Sequence, residues 1–287
     1  MKGTSNLSET TFCIYEGRNI PNTEISEEHI IPLSLGGTND LVILASKSIN
    51  SVAGEIEGKL GNELSMFLRR NEFDVRGHSG KRPVPTYKSG RIKELDLSVQ
   101  VQLDKRNKEM RLYSPRHNRF LENAESAGLT IEFNTEIDLT TKIRFTAKVA
   151  IGAGYFIYGS LFARFAKVEQ LRALMKLDKE NMSDDLKVID PMVCELTHRQ
   201  EQIREMGKAF GLSSVIVVPS EGHIVFSVSC LGEFCGMLRV PADTTRLPNS
   251  GAYKWGHILA SDGKKLTRGS FERGFLLMKE LAAKHEA

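Results

Sequence analysis

The stretch from Cys13 to Leu60 constrains the fold more than any other, and its centre, residues 28–37, reads Glu-His-Ile-Ile-Pro-Leu-Ser-Leu-Gly-Gly. An apolar run at 41–44 follows the Gly-Gly pair, and Asn50 lies in the polar segment beyond that run. β-branched residues before a proline, then a Gly-Gly pair and a second apolar run, are typical of two short strands joined by a turn. The sequence therefore predicts a hairpin whose first strand carries His29, followed by a helix that begins near Asn50.

The residue types at this centre suit hydrolysis of a phosphodiester. A neutral imidazole such as that of His29 can act as a general base near neutral pH. The carboxylate of Glu28 and the amide oxygen of Asn50 are donors that suit Mg²⁺ or Mn²⁺. A divalent ion of this kind stabilises the charge that develops on the phosphate in the transition state. These residue types are therefore compatible with a hydrolytic site that holds one divalent ion.

In the order of these residues, the stretch resembles the HNH endonuclease family, whose catalytic unit has a ββα-metal fold. The resemblance covers roughly the first fifth of the chain. It implies that Glu28 and Asn50 are metal ligands and that His29 is the general base. It also implies that Asn39 orients His29 or steadies the loop, with Asp40, the next residue, as the alternative. The substrate that the family implies is double-stranded DNA.

The chain departs from this family at the positions that bind a structural zinc. Many members carry two Cys-x-x-Cys pairs, whereas here Cys13 and Glu16 stand at the first pair and Ser46 and Ile49 at the second. One cysteine cannot complete a closed tetrahedral zinc site. We therefore expect no structural zinc and a ββα unit that is held together by packing.

Positive charge is concentrated after this unit, although the net charge of the whole chain is only +3. Residues 69–93 contain eight Lys or Arg residues and two acidic residues, and a second basic stretch spans 105–119. A local excess of this kind favours phosphate binding, because neutralised phosphates release counterions, while a solvated loop is the alternative. The residues predicted to bind DNA are Arg69, Arg70, Arg76, Lys81, Arg82, Lys88 and Arg91.

The whole chain predicts an α+β protein in which an N-terminal HNH domain, residues 1–70, precedes a larger mixed α+β domain, residues 94–287. Glycine, proline and positive charge predict a basic linker or loop over 71–93. Period-two alternation predicts a strand over 95–103, and helical spacing from Thr140 predicts two helices or one kinked helix. We expect the larger domain to supply target recognition, homodimerisation or activation.

Other classes of protein are less compatible with the composition. The longest apolar run, 149–163, is shorter than the roughly 20 residues that a membrane span needs, so we expect no membrane partner. Four cysteines do not form a disulfide framework, and the N-terminus shows no secretory signal, which predicts reduced thiols and a cytoplasmic location. A P-loop is absent, so the sequence does not indicate a nucleotide-driven motor.

Three functions are compatible with these features. The first is a metal-dependent HNH endonuclease, with restriction or anti-phage defence as the expected setting. The second is a nucleic-acid-binding protein whose HNH core no longer cuts, since the missing cysteines show that the motif has changed. The third is a nuclease that a C-terminal sensor domain gates.

Overall fold

The computed structural model of the chain describes residues 9–77, 80, 86–103, 110–122, 125, 127–133, 138–177 and 210–276. Within these ranges the protein has a mixed α+β fold, as the sequence predicts. Its first four strands form two antiparallel hairpins, in which β1 pairs with β2 and β3 pairs with β4. These strands are β1 (Thr10–Cys13), β2 (Arg18–Pro21), β3 (Ile25–His29) and β4 (Val42–Ser46).

Two helices follow the second hairpin, α1 (Lys47–Gly61) and α2 (Leu64–Glu72). The order β3, β4, α1 is the predicted layout of two strands and a helix. The helix begins before Asn50 because Ser46 caps it, with the Ser46 Oγ accepting a hydrogen bond from the backbone N–H of Ile49 at 3.3 Å. Asn50 therefore lies in the first turn of α1 rather than at its start.

The next five strands form a separate antiparallel sheet in the order β8-β7-β6-β5-β9. The predicted strand over 95–103 is confirmed as β6, but residues 86–92, predicted as linker, form β5. Strand β5 forms a local hairpin with β6 on one side and pairs with the more distant β9 on the other, and its register with β6 shifts between Tyr87 and Gly90. The strands are β5 (Thr86–Ile92), β6 (Leu97–Leu103), β7 (Met110–Ser114), β8 (Arg119–Phe120) and β9 (Ile131–Phe133).

The helical region predicted from Thr140 consists of three helices, α3 (Leu139–Tyr158), α4 (Ser160–Phe165) and α5 (Val168–Met175). Gly159 separates the first two, because its φ of 58° lies in the left-handed region. Gly152 allows α3 to approach the N-terminal hairpins, since a Cβ there would lie 2.8 Å from the Tyr15 hydroxyl. Helix α3 therefore packs directly against the ββα unit.

A second five-stranded antiparallel sheet, in the order β12-β11-β10-β13-β14, follows these helices in the described chain. Ile30, Phe145 and Phe226 belong to one hydrophobic core that joins the ββα unit, α3 and this sheet, whereas the sheet β5–β9 has a small core of its own. The domain boundaries at 70 and 93 stay a prediction. The strands are β10 (Ser213–Ser220), β11 (His223–Cys230), β12 (Glu233–Pro241), β13 (His257–Ser261) and β14 (Leu266–Ser270).

Helix α3 is the longest described helix and most of it is buried. It is not apolar throughout, because it buries Lys142 and Lys148. None of the described helices is both long and apolar enough to cross a membrane. Among the described cysteines, Cys13, Cys230 and Cys235 are buried free thiols.

Candidate active site

His29 is the last residue of β3, and its imidazole contacts the side chain of Asn39. The His29 Nε2 lies 3.0 Å from the Asn39 Oδ1. An amide oxygen can only accept a hydrogen bond, so Nε2 carries a proton in this contact, and in a neutral imidazole the lone pair is then on Nδ1. This is the tautomer that a general base acting through Nδ1 needs.

The contact also distinguishes Asn39 from Asp40, the two alternatives for the residue that orients His29. Asn39, rather than Asp40, approaches the imidazole. The carboxylate of Asp40 faces β14, where its Oδ2 lies 3.5 Å from the backbone nitrogen of Leu266. The two neighbours therefore have different partners, and the geometry favours Asn39 as the residue that orients the imidazole.

The Gly-Gly turn brings Asn39 back to His29. Gly36 has a φ of 81°, and a Cβ at Gly37 would lie 1.8 Å from the backbone oxygen of Ile31. The N–H of Gly37 donates to the oxygen of Pro32 at 3.0 Å, which closes the turn. A larger residue at either glycine is therefore incompatible with this loop.

Glu28, the residue before His29, points in the other direction, as expected for neighbours on a strand. It is 7% exposed, and its Oε1 lies 2.6 Å from the Nζ of Lys148, which is 0% exposed. The same ammonium donates to the Glu57 Oε1 at 2.8 Å, to the backbone oxygen of Ile30 at 3.1 Å and to that of His29. A buried lysine from α3 is therefore surrounded by oxygens of β3 and α1.

The charges in this cluster stabilise one another. Burial raises the pKa of Glu28, and the attraction of Lys148 opposes that effect. Burial also disfavours the charged form of Lys148, but the carboxylates of Glu57 and Glu28 outweigh it and raise the pKa of the ammonium. Lys148 is therefore charged at neutral pH and is the counterion of Glu28.

Asn50 connects α1 to β3 through its amide. The Nδ2 donates to the Ser26 Oγ at 2.9 Å and to the backbone oxygen of Glu27 at 3.0 Å. The Oδ1 is buried and accepts no hydrogen bond from the described residues. Because an unsatisfied buried oxygen costs free energy, this atom can take either a hydrogen-bond donor such as water or a cation.

Glu28 and Asn50 therefore fit one divalent ion by donor chemistry. Magnesium keeps several waters and needs only one or two protein oxygens besides the substrate phosphate. Among the described residues, no group of three or more His, Cys, Asp or Glu side chains is arranged to hold a metal. The fit thus depends on the amide oxygen of Asn50 and on a carboxylate that Lys148 already neutralises.

The positions that carry zinc ligands in the resembling family form hydrogen bonds here. Ser48 Oγ donates to the Glu16 Oε1 at 3.1 Å and lies 3.0 Å from the Ser46 Oγ. Cys13 is buried in the main core. These contacts join the β1–β2 turn to the start of α1.

Two of the predicted DNA-binding arginines lie on α2 and are engaged by the protein. Arg69 pairs with Glu72 at 2.7 Å and with Glu233 of β12 at 2.9 Å. Arg70 is half-buried and donates to the backbone oxygen of Gly61 at 3.3 Å, and burial lowers the pKa of its guanidinium. These two side chains hold α2 in place in addition to any contact with DNA.

The remaining predicted cations are exposed or lie outside the described residues. Arg76 pairs with Asp74 at 3.2 Å, and Arg91 pairs with Asp96. Exposed ion pairs contribute little to stability, so both arginines can exchange their carboxylate for a phosphate. Lys81, Arg82 and the side chain of Lys88 fall outside the described residues, as does the first part of the basic stretch 105–119.

The sequence analysis missed Lys148 and Glu57. Glu57 follows Asn50 by two helical turns, so helical spacing alone could have placed both on the face of α1 that meets β3. Lys148 directly precedes the longest apolar run, and its flanking apolar residues were the available signal. The contact of Lys148 with β3 could not have been predicted from the sequence, because Lys148 and His29 are separated by 119 positions in the chain.

Comparisons of the chain with family models, with curated proteins and with solved structures found no match. A proposal for its function therefore depends on its own residues and on the geometry described above. The features that carry most of it are the His29–Asn39 contact and the oxygens of Glu28 and Asn50.

Proposed function

We propose that the protein is a metal-dependent HNH-type endonuclease that hydrolyses phosphodiester bonds of double-stranded DNA. The observation that supports this most is the 3.0 Å contact between the His29 Nε2 and the Asn39 Oδ1. It holds a partly exposed imidazole on a strand–turn–strand–helix unit in the tautomer of a general base. Restriction or anti-phage defence in the cytoplasm is the setting that we propose from the resemblance.

In this mechanism, the Nδ1 of His29 takes a proton from water as the water oxygen bonds to the phosphorus and the bond from the phosphorus to the leaving oxygen breaks. The leaving oxygen then takes a proton from solvent water. The Asn39 Oδ1 accepts the Nε2 hydrogen and stabilises the imidazolium that forms. Glu28 and Asn50 would hold the Mg²⁺ or Mn²⁺ ion, which supplies stabilisation of negative charge on the phosphate and the leaving oxygen when bound. Exposed arginines such as Arg76 and Arg91 would bind the DNA backbone without reading sequence.

A second candidate function, DNA binding without cleavage, is favoured by one observation. The ammonium of Lys148 already neutralises Glu28, the residue that would be the anionic metal ligand. If the ammonium stays there, Asn50 alone is a weak site for a divalent ion. The ββα unit would then be a binding scaffold.

Cleavage of supercoiled plasmid in Mg²⁺, in Mn²⁺ and in EDTA tests the first candidate. We expect metal-dependent cutting by the wild type and a loss of about 10²-fold to 10⁴-fold in His29→Ala, the usual contribution of a general base. His223→Ala, at a histidine of β11 with no proposed role, is the matched control and should cut normally.

Undiminished cutting by His29→Ala would contradict the assignment of the base. An absence of cutting by the wild type, with DNA binding retained in a mobility-shift assay, would favour the second candidate. Both readouts use the same preparations, so a contaminating nuclease would be recognised by its presence in every variant.

A further inference from the structure

The environment of Lys148 has the donors of a cation site. Its ammonium contacts the carboxylates of Glu28 and Glu57 and the backbone oxygens of His29 and Ile30. Carboxylate and carbonyl oxygens are the ligands of hard cations in proteins. Here the cation that they surround belongs to the chain itself.

The charge balance indicates why the ammonium is needed. Two carboxylates, those of Glu28 and Glu57, meet between β3, α1 and α3 in a region that excludes most water. Two anions in such a site repel each other strongly unless a cation lies between them. Lys148 supplies one positive charge, which leaves the cluster with one net negative charge.

The ammonium of Lys148 lies at the same interface as the two proposed metal ligands, Glu28 and Asn50. Asn50 and Glu57 lie two helical turns apart on the face of α1 that meets β3, and Glu28 faces the same interface. The ammonium therefore contacts the carboxylate that, with the Oδ1 of Asn50, would hold the divalent ion. A metal at Glu28 and the ammonium at 2.6 Å from the same carboxylate repel each other.

We propose that the ammonium of Lys148 is a built-in counterion that competes with a divalent ion for Glu28. The proposal rests on the proposed function only in taking Glu28 as a metal ligand. With the ammonium in place, the ββα unit folds without metal. When a divalent ion binds Glu28, the ammonium moves off that carboxylate and stays with Glu57 and the backbone oxygen of Ile30.

Helix α3 offers a matched control for this role. Lys142 is also a buried lysine of α3, 8% exposed, and its Nζ lies 3.7 Å from the Glu63 Oε2. Glu63 is not part of the candidate active site. Lys142→Met and Lys148→Met therefore remove the same group from the same helix, but only Lys148→Met uncovers Glu28.

The experiment measures thermal unfolding of the full-length protein in EDTA and in Mn²⁺, with the metal alone and no DNA. We expect Lys148→Met to melt at a lower temperature than the wild type in EDTA and to recover much of the difference in Mn²⁺. Lys142→Met should be destabilised in both conditions. Direct Mn²⁺ titration should show binding at least about tenfold tighter in Lys148→Met than in the wild type, because a repelling charge has been removed.

Two double variants complete the test. The double variant Lys148→Met with Glu28→Gln should lose the response to Mn²⁺, because it lacks the Glu28 carboxylate that would bind the ion. If Lys148→Met does not fold, Lys148→Met with Glu57→Gln removes one of the two opposed anions and should fold and bind Mn²⁺ more tightly than the wild type.

An Mn²⁺ response in Lys148→Met no larger than in Lys142→Met would overturn the proposal, as would unchanged Mn²⁺ affinity in the variant that also carries Glu57→Gln. Either result would make Lys148 a structural ion-pair partner only. Plasmid cleavage is not a readout here, so failure of the nuclease proposal would be seen separately.

Discussion

The two faces of strand β3 differ in environment although their residues alternate along one short segment. Ser26 and Glu28 face inward to α1 and α3, where Glu28 meets a buried ammonium. Glu27 is exposed, and His29 is partly exposed and contacts a neutral amide. Adjacent residues of one motif therefore lie in different electrostatic environments, the inner face among buried charges and the outer face beside a neutral amide.

The two faces of β3 should respond differently to substitution, because only the inner face holds a charge that loses its partner. Removing one member of a buried ion pair typically costs about 3–5 kcal/mol, because the other member stays buried without its partner. Substituting a partly exposed residue away from such features usually changes stability by less than about 0.5 kcal/mol. The cost of a substitution in free energy of unfolding should therefore differ between the two faces of β3.

The largest expected effect on stability comes from Glu28→Gln. We expect a loss of about 3 kcal/mol in the free energy of unfolding, at the lower end of the usual range because Glu57 still accompanies the ammonium. Glu27→Gln, the same change one residue earlier on the outer face, should stay within about 0.5 kcal/mol of the wild type. Urea denaturation of both variants measures the difference, and equal losses would show that the two faces are not distinct.

The second expected effect is a loss of stability at alkaline pH that depends on Lys148. In the unfolded chain this lysine releases its proton near pH 10.5, and its pKa in the folded protein is raised. Its contribution is therefore complete below pH 10.5 and is lost as the pH rises through the folded pKa. The urea midpoint, followed from about pH 8 to about pH 12, should fall more steeply in the wild type than in Lys148→Met; parallel curves would contradict this account.

The smallest expected effect is that of Asn39→Ala on cleavage. Removing the acceptor removes the hydrogen bond that favours the tautomer protonated at Nε2, and we expect cleavage to fall about tenfold, the equivalent of one hydrogen bond of about 1.4 kcal/mol. A positional role also predicts that the pH profile of cleavage shifts, while the melting temperature stays near that of the wild type. A fall in melting temperature with an unshifted profile would mean that Asn39 only stabilises the loop.

Local patterns predicted much of the fold. The alternation at 95–103 identified β6, and the Gly-Gly pair identified the turn after His29, because side-chain periodicity and turn chemistry act over a few residues. Strand β5 was not predicted, because its local sequence pattern is typical of a loop. Its glycine and its charged residues favour a loop, whereas in the structure it forms a hairpin with β6 and also pairs with the more distant β9.

By itself, the sequence determined the α+β class, the order strand–turn–strand–helix, and the residue types at the candidate site. These follow from the spacing of apolar and turn residues, which is a property of short stretches of the sequence. The tertiary structure alone decided that Asn39 rather than Asp40 contacts His29, and that Lys148 neutralises Glu28. The first depends on how the turn folds back over ten residues. The second depends on where distant segments meet, because the ammonium comes from a helix more than a hundred positions along the chain, a contact that no local pattern can encode.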